Sequence, residues 1–424
     1  MRILFVSHET GYSFGVYLDN ATRALAERGH DVHVLSCSPF RNAAIGDERR
    51  DGVWVHRRRC PPYRTVRRAS RVPVARQLLH LLRTPEFPPW ISPTVRCKVA
   101  LANYVEYRRL GIDFDVIEAP DHLAEGLVLA LAGVAPVVVE LHGTLGTMAR
   151  LSGYRRSWHL EVSAFLERLA ARAATMLVAP SRFAASAALG FDAARRARVV
   201  PHTIDADRWA CVPDAASTEP VILNVGAIGT RRGCDVLVRA AAKLVGEVPD
   251  LEVCFVGSSD RLADGTDGSA LVRRLGEELG VRVRIVDHVS RDALTDWYGR
   301  ARVFAVPSRF DTFSQVTLEA MAARRPVVCS DATGVGELAS RSGGSLTVIP
   351  NEDADALAAA LERPLKDPLH AVTLGERARV FVAEVCGPAH VAARREALYL
   401  EAVAQWKRRR LRLRLAPGPR HAPR

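Results

Sequence analysis

Lysine is scarce in this chain: of 59 lysine and arginine residues only four are lysine, at Lys98, Lys243, Lys366 and Lys407. Patches that grip nucleic-acid phosphates normally mix the two, so a net charge of +12 carried by arginine gives little support to a nucleic-acid partner, and none is expected. Part of the arginine and alanine excess follows from GC-rich coding. The eight cysteines (Cys37, Cys60, Cys97, Cys211, Cys234, Cys254, Cys329 and Cys386) include no two at metal-ligand spacing. Free thiols in a reducing compartment are therefore expected, not zinc or disulfides. No membrane-spanning run is present. The most apolar stretch, Leu123 to Leu141, is broken by Glu125, Gly133, Pro136 and Glu140, and reads as a helix, a turn and a buried strand. The N-terminus opens on an apolar strand with no secretory signature, so a cytoplasmic location is expected, with peripheral contact at the inner face of a membrane as an extension. Neither first strand is followed by Gly-x-Gly-x-x-Gly, which weakens a dehydrogenase, and no Walker loop or Gly-x-Ser-x-Gly occurs.

What is present is one design used twice. A strand at 2–7, a loop with Gly11 and Gly15, a helix from about Val16 to Arg28 and a strand at 31–36 form the first unit. A strand at 220–226, a loop ending at Gly233, a helix from about Cys234 to Leu244 and a strand at 251–256 form the second. This is the βαβ unit of a parallel sheet covered by helices on both faces. Val/Ile-rich runs continue the rhythm at 116–118, 137–141, 176–179 and 199–200, then at 283–286, 303–306, 327–329 and 346–348. The fold class is α/β, with two Rossmann-like doubly wound domains expected over residues 1–200 and 201–388. The hinge falls near Pro201–Pro220. A long helix over about 389–412 is expected to pack back on the first domain, and 413–424 form a disordered basic tail.

Charge is uneven. Residues 49–109 hold fifteen arginines and lysines against three acids, and the tail from Lys407 to Arg424 adds eight basic residues and no acid. Within the first of these segments the proline-rich stretch Pro61–Pro93 contains an apolar run, Val72–Leu82, flanked by arginines. It reads either as a helix packed on its own domain or as an amphipathic helix on a membrane. The basic face suits an anionic or membrane-embedded partner.

The segment Pro307-Ser308-Arg309-Phe310-Asp311-Thr312-Phe313-Ser314-Gln315-Val316-Thr317-Leu318-Glu319-Ala320-Met321-Ala322 holds the strongest chemical signal. A strand ends, a polar loop follows, and a helix begins near Gln315, presenting free backbone N–H groups that suit phosphate. Asp311 and Glu319 are spaced to flank the helix start, where carboxylates can accept from sugar and ribose hydroxyls. By spacing alone they are as well read as surface acids on a capped helix.

This stretch resembles the signature of retaining glycosyltransferases of family 4, which have the GT-B fold of two Rossmann-like domains facing across a cleft. The resemblance implies that Asp311 touches the donor sugar and Glu319 the ribose. The first acid is Asp where the family has Glu, and Ser314 stands where Gly is common. Leu223-Asn224-Val225-Gly226-Ala227-Ile228-Gly229-Thr230-Arg231-Arg232-Gly233 resembles the donor-phosphate loop, with Arg232 at the position of a family lysine and Arg231 beside it. Glu140-Leu141-His142-Gly143-Thr144 resembles the segment whose histidine lines the donor-sugar pocket. Pro180-Ser181-Arg182-Phe183 and Pro201-His202-Thr203-Ile204-Asp205 resemble the crossing between domains, and Gly334-Val335-Gly336-Glu337 a further loop near the nucleotide. Gly15 and His142 are assigned to the acceptor side.

The resemblance implies transfer of a hexosyl unit from a UDP- or GDP-sugar to a hydroxyl acceptor, with retention. Arg231, Arg232, Gly226 and the Ser314-Gln315 backbone would hold the diphosphate, and His142 and Asp311 would orient the sugar. No cofactor is expected beyond the nucleotide sugar itself. Asp205-Ala206-Asp207 and Asp353-Ala354-Asp355 have the form of metal-diphosphate motifs, but no metal is expected. A GT-B-fold nucleotide-sugar epimerase and a non-catalytic nucleotide-sugar-binding protein are the alternatives.

Overall fold

The computed structural model describes residues 1–7, 13–38, 45–60, 92–151, 156–190, 194–216, 218–261 and 265–415. Two sheets organise it. The first comprises β1 (Arg2–Val6), β2 (Asp31–Ser38), β3 (Gly46–Arg50), β4 (Val53–Arg59), β5 (Val116–Pro120), β6 (Val137–Glu140), β7 (Met176–Ala179) and β8 (Arg198–Val199), in the spatial order β3-β4-β2-β1-β5-β6-β7-β8. The second comprises β9 (Val221–Val225), β10 (Glu252–Val256), β11 (Arg282–Val286), β12 (Val303–Val306), β13 (Val327–Ser330) and β14 (Leu346–Ile349), in the order β11-β10-β9-β12-β13-β14. Every pairing is parallel except β3 with β4.

Each sheet is buried on both faces, which is why its strands read as unbroken apolar runs. Along β1, Ile3 and Phe5 enter one core, while Leu4 and Val6 enter the core on the opposite face. Along β9, Ile222 goes to one side, and Val221, Leu223 and Val225 to the other. The strand order reverses between β1 and β5 and again between β9 and β12. Those switch points open crevices at the carboxyl ends of the strands.

The antiparallel β3–β4 hairpin is absent from the sequence reading. Its turn, Asp51-Gly52, has φ of 50° and 80°, the two positive values that an Asp-Gly hairpin turn needs. All five residues of β3 are exposed, so no apolar alternation marks it. The first helix begins at Ser13, so Gly15 lies inside its first turn and not in a loop before it. Glycine is tolerated there because first-turn N–H groups have no intrahelical partner to lose.

The last helix runs from Pro388 to Leu415, three residues beyond the expected end, and residues 416–424 lie outside the described residues. Its Val391, Ala392, Leu398, Tyr399 and Ala402 share a core with Ile3 and Phe5. The chain therefore returns to the first sheet. The two crossings between sheets are tied together: Ile204 N–H and the Thr203 hydroxyl both donate to the carbonyl of Cys386, at 2.9 and 3.0 Å.

The basic face needs correction. Residues 61–91, including Val72–Leu82, lie outside the described residues. Of the rest, Arg57 pairs with Glu48 and Arg58 with Asp47, both at 2.7 Å, and Arg96 is fully buried against Glu167 at 2.8 Å. Asp47 and Glu48 stand just ahead of residue 49, so the described part is less basic than the count over 49–109 suggests. No helix among the described residues is long and apolar enough to cross a membrane.

Candidate functional site

The second sheet supplies a cationic loop. β9 ends at Val225, Gly226 turns the chain with φ +131°, and a short 3-10 turn, Thr230–Arg232, precedes Gly233 and the helix Cys234–Ala242. The neighbouring β12 runs into the Pro307–Ser314 loop. The two loops are fastened together: Arg309 N–H donates to the carbonyl of Arg231 at 2.9 Å, and the Arg309 guanidinium forks onto Asp235 at 2.7 and 2.9 Å. Arg232 forms an ion pair with Asp311. Asp311 also accepts from the N–H groups of Phe313 and Ser314, at 3.2 and 2.9 Å. Burial opposes ionisation of Asp311, but Arg232 and then Arg231 outweigh it and hold the carboxyl below its usual range.

Arg231 is different. Burial and then the charge of Arg232 lower its pKa, and no acceptor for its guanidinium is found among the described residues. The end of β9 thus carries two guanidiniums, Arg232 in an ion pair with Asp311 and Arg231 under the more distant charges of Asp311 and Asp260. Ser314 has φ +64°, which explains why glycine suits that position; its own N–H is already committed to Asp311 and is not a phosphate donor here. Gln315 donates its side-chain amide to the carbonyl of Thr203 at 3.2 Å, linking the helix Gln315–Ala322 to the crossing segment. Glu319 is buried beside the Tyr298 hydroxyl at 3.3 Å and Arg291 Nε at 3.5 Å. Burial raises its pKa to about 7 against the pull of Arg291.

The first sheet supplies His142, in the turn after β6. Asp121 accepts from the N–H groups of His142 and Gly143, at 3.0 and 3.3 Å, and so fixes that turn. The turn faces the Asp311 loop: a Cβ on Gly143 would lie 3.5 Å from Thr312 Cγ2. Ser181 donates to the carbonyl of Thr312 at 2.8 Å, and His202 stacks edge-on to Phe313 at 5.2 Å. The turn bearing His142 and the loop bearing Asp311, with Arg232 paired to it, therefore meet between the sheets. Gly15 is two residues ahead of Tyr17 on the first helix.

Both Asp-x-Asp segments have structural employment. Asp353 caps the helix Ala354–Lys366 through the N–H of Ala356 at 2.8 Å, and Asp355 pairs with Lys243 at 2.7 Å. Asp205 pairs with Arg23 at 3.0 Å and Asp207 with Arg379 at 3.1 Å. One other group has ligand geometry: single ligand atoms of Glu140, His142 and His202 all lie within 4.8 Å of one another. Both oxygens of Glu140 are already held by Arg395 at 3.0 Å, so a cation there would have to displace a guanidinium.

Three buried carboxyls, Glu118, Asp121 and Glu319, have pKa values raised to about 7, in each case chiefly by burial. Each holds its proton more tightly folded than unfolded. Their contribution to stability is complete below about pH 4, the unfolded value, and disappears as pH rises through 7. Asp311 and Glu140 act oppositely, losing their contribution only in acid. The thermal midpoint is expected to peak near pH 5 and to fall steadily toward pH 8, with a shallower slope in Glu319→Gln. A midpoint that is flat or rising over this range would contradict the raised values.

Sequence comparison matches both halves of the chain to glycosyltransferase families. The Glycosyltransferase Family 4 model matches residues 14–208, and the model described as Glycosyl transferases group 1 matches residues 219–367. A D-inositol 3-phosphate glycosyltransferase of Catenulispora acidiphila is 37% identical over 172 residues, 39% of each chain. An MMP alpha-(1->4)-mannosyltransferase of Mycolicibacterium hassiacum is 27% identical over 96% of this chain and 99% of its own length. Among solved structures, a sucrose-phosphate synthase from Thermosynechococcus elongatus superposes with a TM-score of 0.72 at 23% identity, covering 95% of this chain and 99% of that one.

The chain is a family 4 glycosyltransferase of the GT-B fold.

In this glycosyltransferase the sequence reading missed Tyr17, Glu118, Asp121 and Arg395 as parts of the site's supporting structure. The signal for one of them, Glu118, was present, and Glu140 shares it. Glu118 sits in Val116-Ile117-Glu118-Ala119-Pro120 and Glu140 closes Val137-Val138-Val139-Glu140, acids inside runs that are buried on both faces. A charge in such a strand demands a buried partner.

Proposed function

We propose that the enzyme moves a hexosyl unit from a nucleoside diphosphate sugar, UDP- or GDP-linked, to a hydroxyl acceptor with retention of anomeric configuration. The observation that carries this reading is the pair of guanidiniums at the end of β9, with Arg232 in an ion pair with Asp311 and Arg231 beside it. A leaving diphosphate gains negative charge as the glycosidic bond breaks, and preorganised cations in a partly desolvated cleft stabilise it at no cost in reorganisation. Gly226 allows the backbone to turn close to Arg232. Glu319 would accept from the ribose hydroxyls, while Asp311 and His142 would orient the sugar. The departing phosphate oxygen can itself take the acceptor proton, so the reading requires no separate protein base.

Relatives named for mannosyl transfer and for glycosylation of an inositol phosphate support a hexosyl donor and an anionic acceptor. The arginine-rich first domain suits such an acceptor, free or set in an anionic membrane surface. A donor screen against a mixed acceptor library, read by mass spectrometry and by the anomeric NMR couplings of the product, tests the reading. Donor binding without turnover across the library would favour a sugar-binding protein, and isomerised donor an epimerase.

Because arginines supply the charge, activity is expected to survive exhaustive EDTA treatment. Loss of turnover that magnesium or manganese restores would overturn the metal-free mechanism.

A further inference from the structure

The helix Trp158–Ala173 lies between β6 and β7 in the first domain. Ser157 caps its start, accepting from the Leu160 N–H at 3.3 Å. One side of the helix is buried and carries Leu160, Ser163, Ala164, Glu167 and Ala170. Glu167 ties it to the site: it accepts from the N–H of Leu145 at 2.8 Å, three residues beyond His142. The opposite side holds Trp158, Val162 and Phe165, which are 46, 38 and 49% exposed. Their spacing of i, i+4 and i+7 puts all three in one stripe, so they form a patch and not scattered surface residues. Arg168 and Arg172 continue the same exposed side toward the helix end. Its single acid, Glu161, is paired with Arg156 at 2.9 Å, just ahead of the helix. Because β6 and β7 are parallel neighbours, the helix between them runs back against the strands. The Trp158 end therefore lies toward the carboxyl edge of the sheet, where the crevice opens and His142 stands.

We propose that the outer face of the helix Trp158–Ala173 docks on an anionic lipid surface, with Trp158, Val162 and Phe165 entering the headgroup boundary and Arg168 and Arg172 meeting lipid phosphates. An apolar stripe with an aromatic at its end and basic neighbours suits that boundary, where apolar area is buried and cations are drawn to the surface. Charge decides against a second copy of the chain. A two-fold contact sets a face against itself, so Arg168 and Arg172 would meet the same arginines, while the one acid available is already taken by Arg156. This face is separate from residues 49–109, whose described arginines Arg57, Arg58 and Arg96 are paired within the fold. Docking by this helix brings the rim of the crevice beside the headgroups, so that the acceptor hydroxyl is drawn from the lipid surface. That last step rests on the reading that the first domain receives the acceptor; the docking itself does not.

Co-sedimentation of the full-length enzyme with vesicles tests this, using phosphatidylcholine alone and phosphatidylcholine mixed with phosphatidylglycerol, across a salt series. Binding is expected on the anionic vesicles, weakening as salt screens the arginines, with little on phosphatidylcholine alone. The double variant Trp158→Ser/Phe165→Ser should lower the partition coefficient roughly tenfold or more. Arg168→Gln/Arg172→Gln should lower it by about fivefold per charge at low salt. All four side chains are at the surface, so both variants are expected to fold. Leu369→Ser is the control: Leu369 is 74% exposed on the helix Pro368–Cys386 of the second domain, and its loss should leave the partition at the wild-type value. No binding to anionic vesicles, binding indifferent to lipid charge and salt, or wild-type partition in both helix variants would overturn the proposal. So would a lipid-free dimer, seen by sedimentation velocity, that Phe165→Ser abolishes, since the face would then be a contact between copies. Failure of the transferase reading shows separately, as UDP and GDP binding indifferent to Arg232→Ala and Glu319→Ala, because vesicle binding is measured without donor.

Discussion

Arg232→Ala is expected to lower kcat about ten- to a hundredfold, and to harm turnover at least as much as donor binding. A lost contact to a charged group is worth roughly 1.5–3 kcal/mol. Charge on the leaving diphosphate grows toward the transition state, so its cation contributes more there than in the bound donor. Asp311 adds a second effect, since it is buried and held ionised first by Arg232 and then by Arg231. The two effects separate in the double variant Arg232→Ala/Asp311→Asn. If Arg232 served only to neutralise Asp311, the double variant would be no slower than Asp311→Asn alone. If it meets the phosphate, the double variant is slower than Asp311→Asn by a further factor of about ten or more. Glu319→Ala should behave differently, weakening donor binding with kcat nearly kept, because ribose contacts are alike in ground and transition states. Steady-state kinetics with nucleotide titration check both. Wild-type kinetics in both folded variants would place the donor elsewhere.

Much of the framework was legible because parallel strands covered on both faces advertise themselves as Val/Ile runs, and each of the twelve runs identified in the sequence is a strand. The β3–β4 hairpin was not, since β3 is an exposed edge strand without apolar residues. Its one signal, Asp51-Gly52, was overlooked. In the site, Arg231, Arg232, Asp311 and Glu319 were picked out by resemblance to the family's segments, since spacing alone left the two acids equally readable as surface groups on a capped helix. The Arg395–Glu118–Glu140 network could not be paired by spacing: Arg395 is 277 residues from Glu118, and only the return of the last helix to the first sheet brings them together. The basic face was overstated for a related reason. Arginine charge was counted along the chain, whereas Glu48 and Asp47 neutralise it across a hairpin and Glu167 across two packed helices.

Gly233→Ala is expected to be among the most costly single-methyl changes in the enzyme. Gly233 has φ +67°, and a Cβ built there would stand 1.8 Å from the carbonyl oxygen of Pro307 and 2.7 Å from its carbon. That carbonyl has little freedom to retreat. It follows β12, which is paired on both sides with β9 and β13, and two residues later the Arg309 N–H is bound to Arg231. Left-handed backbone costs an L-residue about 1–2 kcal/mol, and forcing a methyl into packed structure costs a further 1–3 kcal/mol or so. At about 3 kcal/mol in all, the melting midpoint of a domain this size should fall by roughly 6–12 °C. Gly280→Ala is the matched control: its φ is +69°, but nothing lies within 4 Å of an added Cβ, so it bears the backbone strain alone. Relief of the clash must part the Thr230–Arg232 turn from the Pro307–Asp311 loop, which is the contact that aligns Arg232 with Asp311. Turnover measured well below the melting midpoint should therefore drop in Gly233→Ala and stay near wild type in Gly280→Ala. Equal midpoints in the two variants would mean that the close approach of the two loops contributes nothing, and the alignment of the cationic loop would then need another cause.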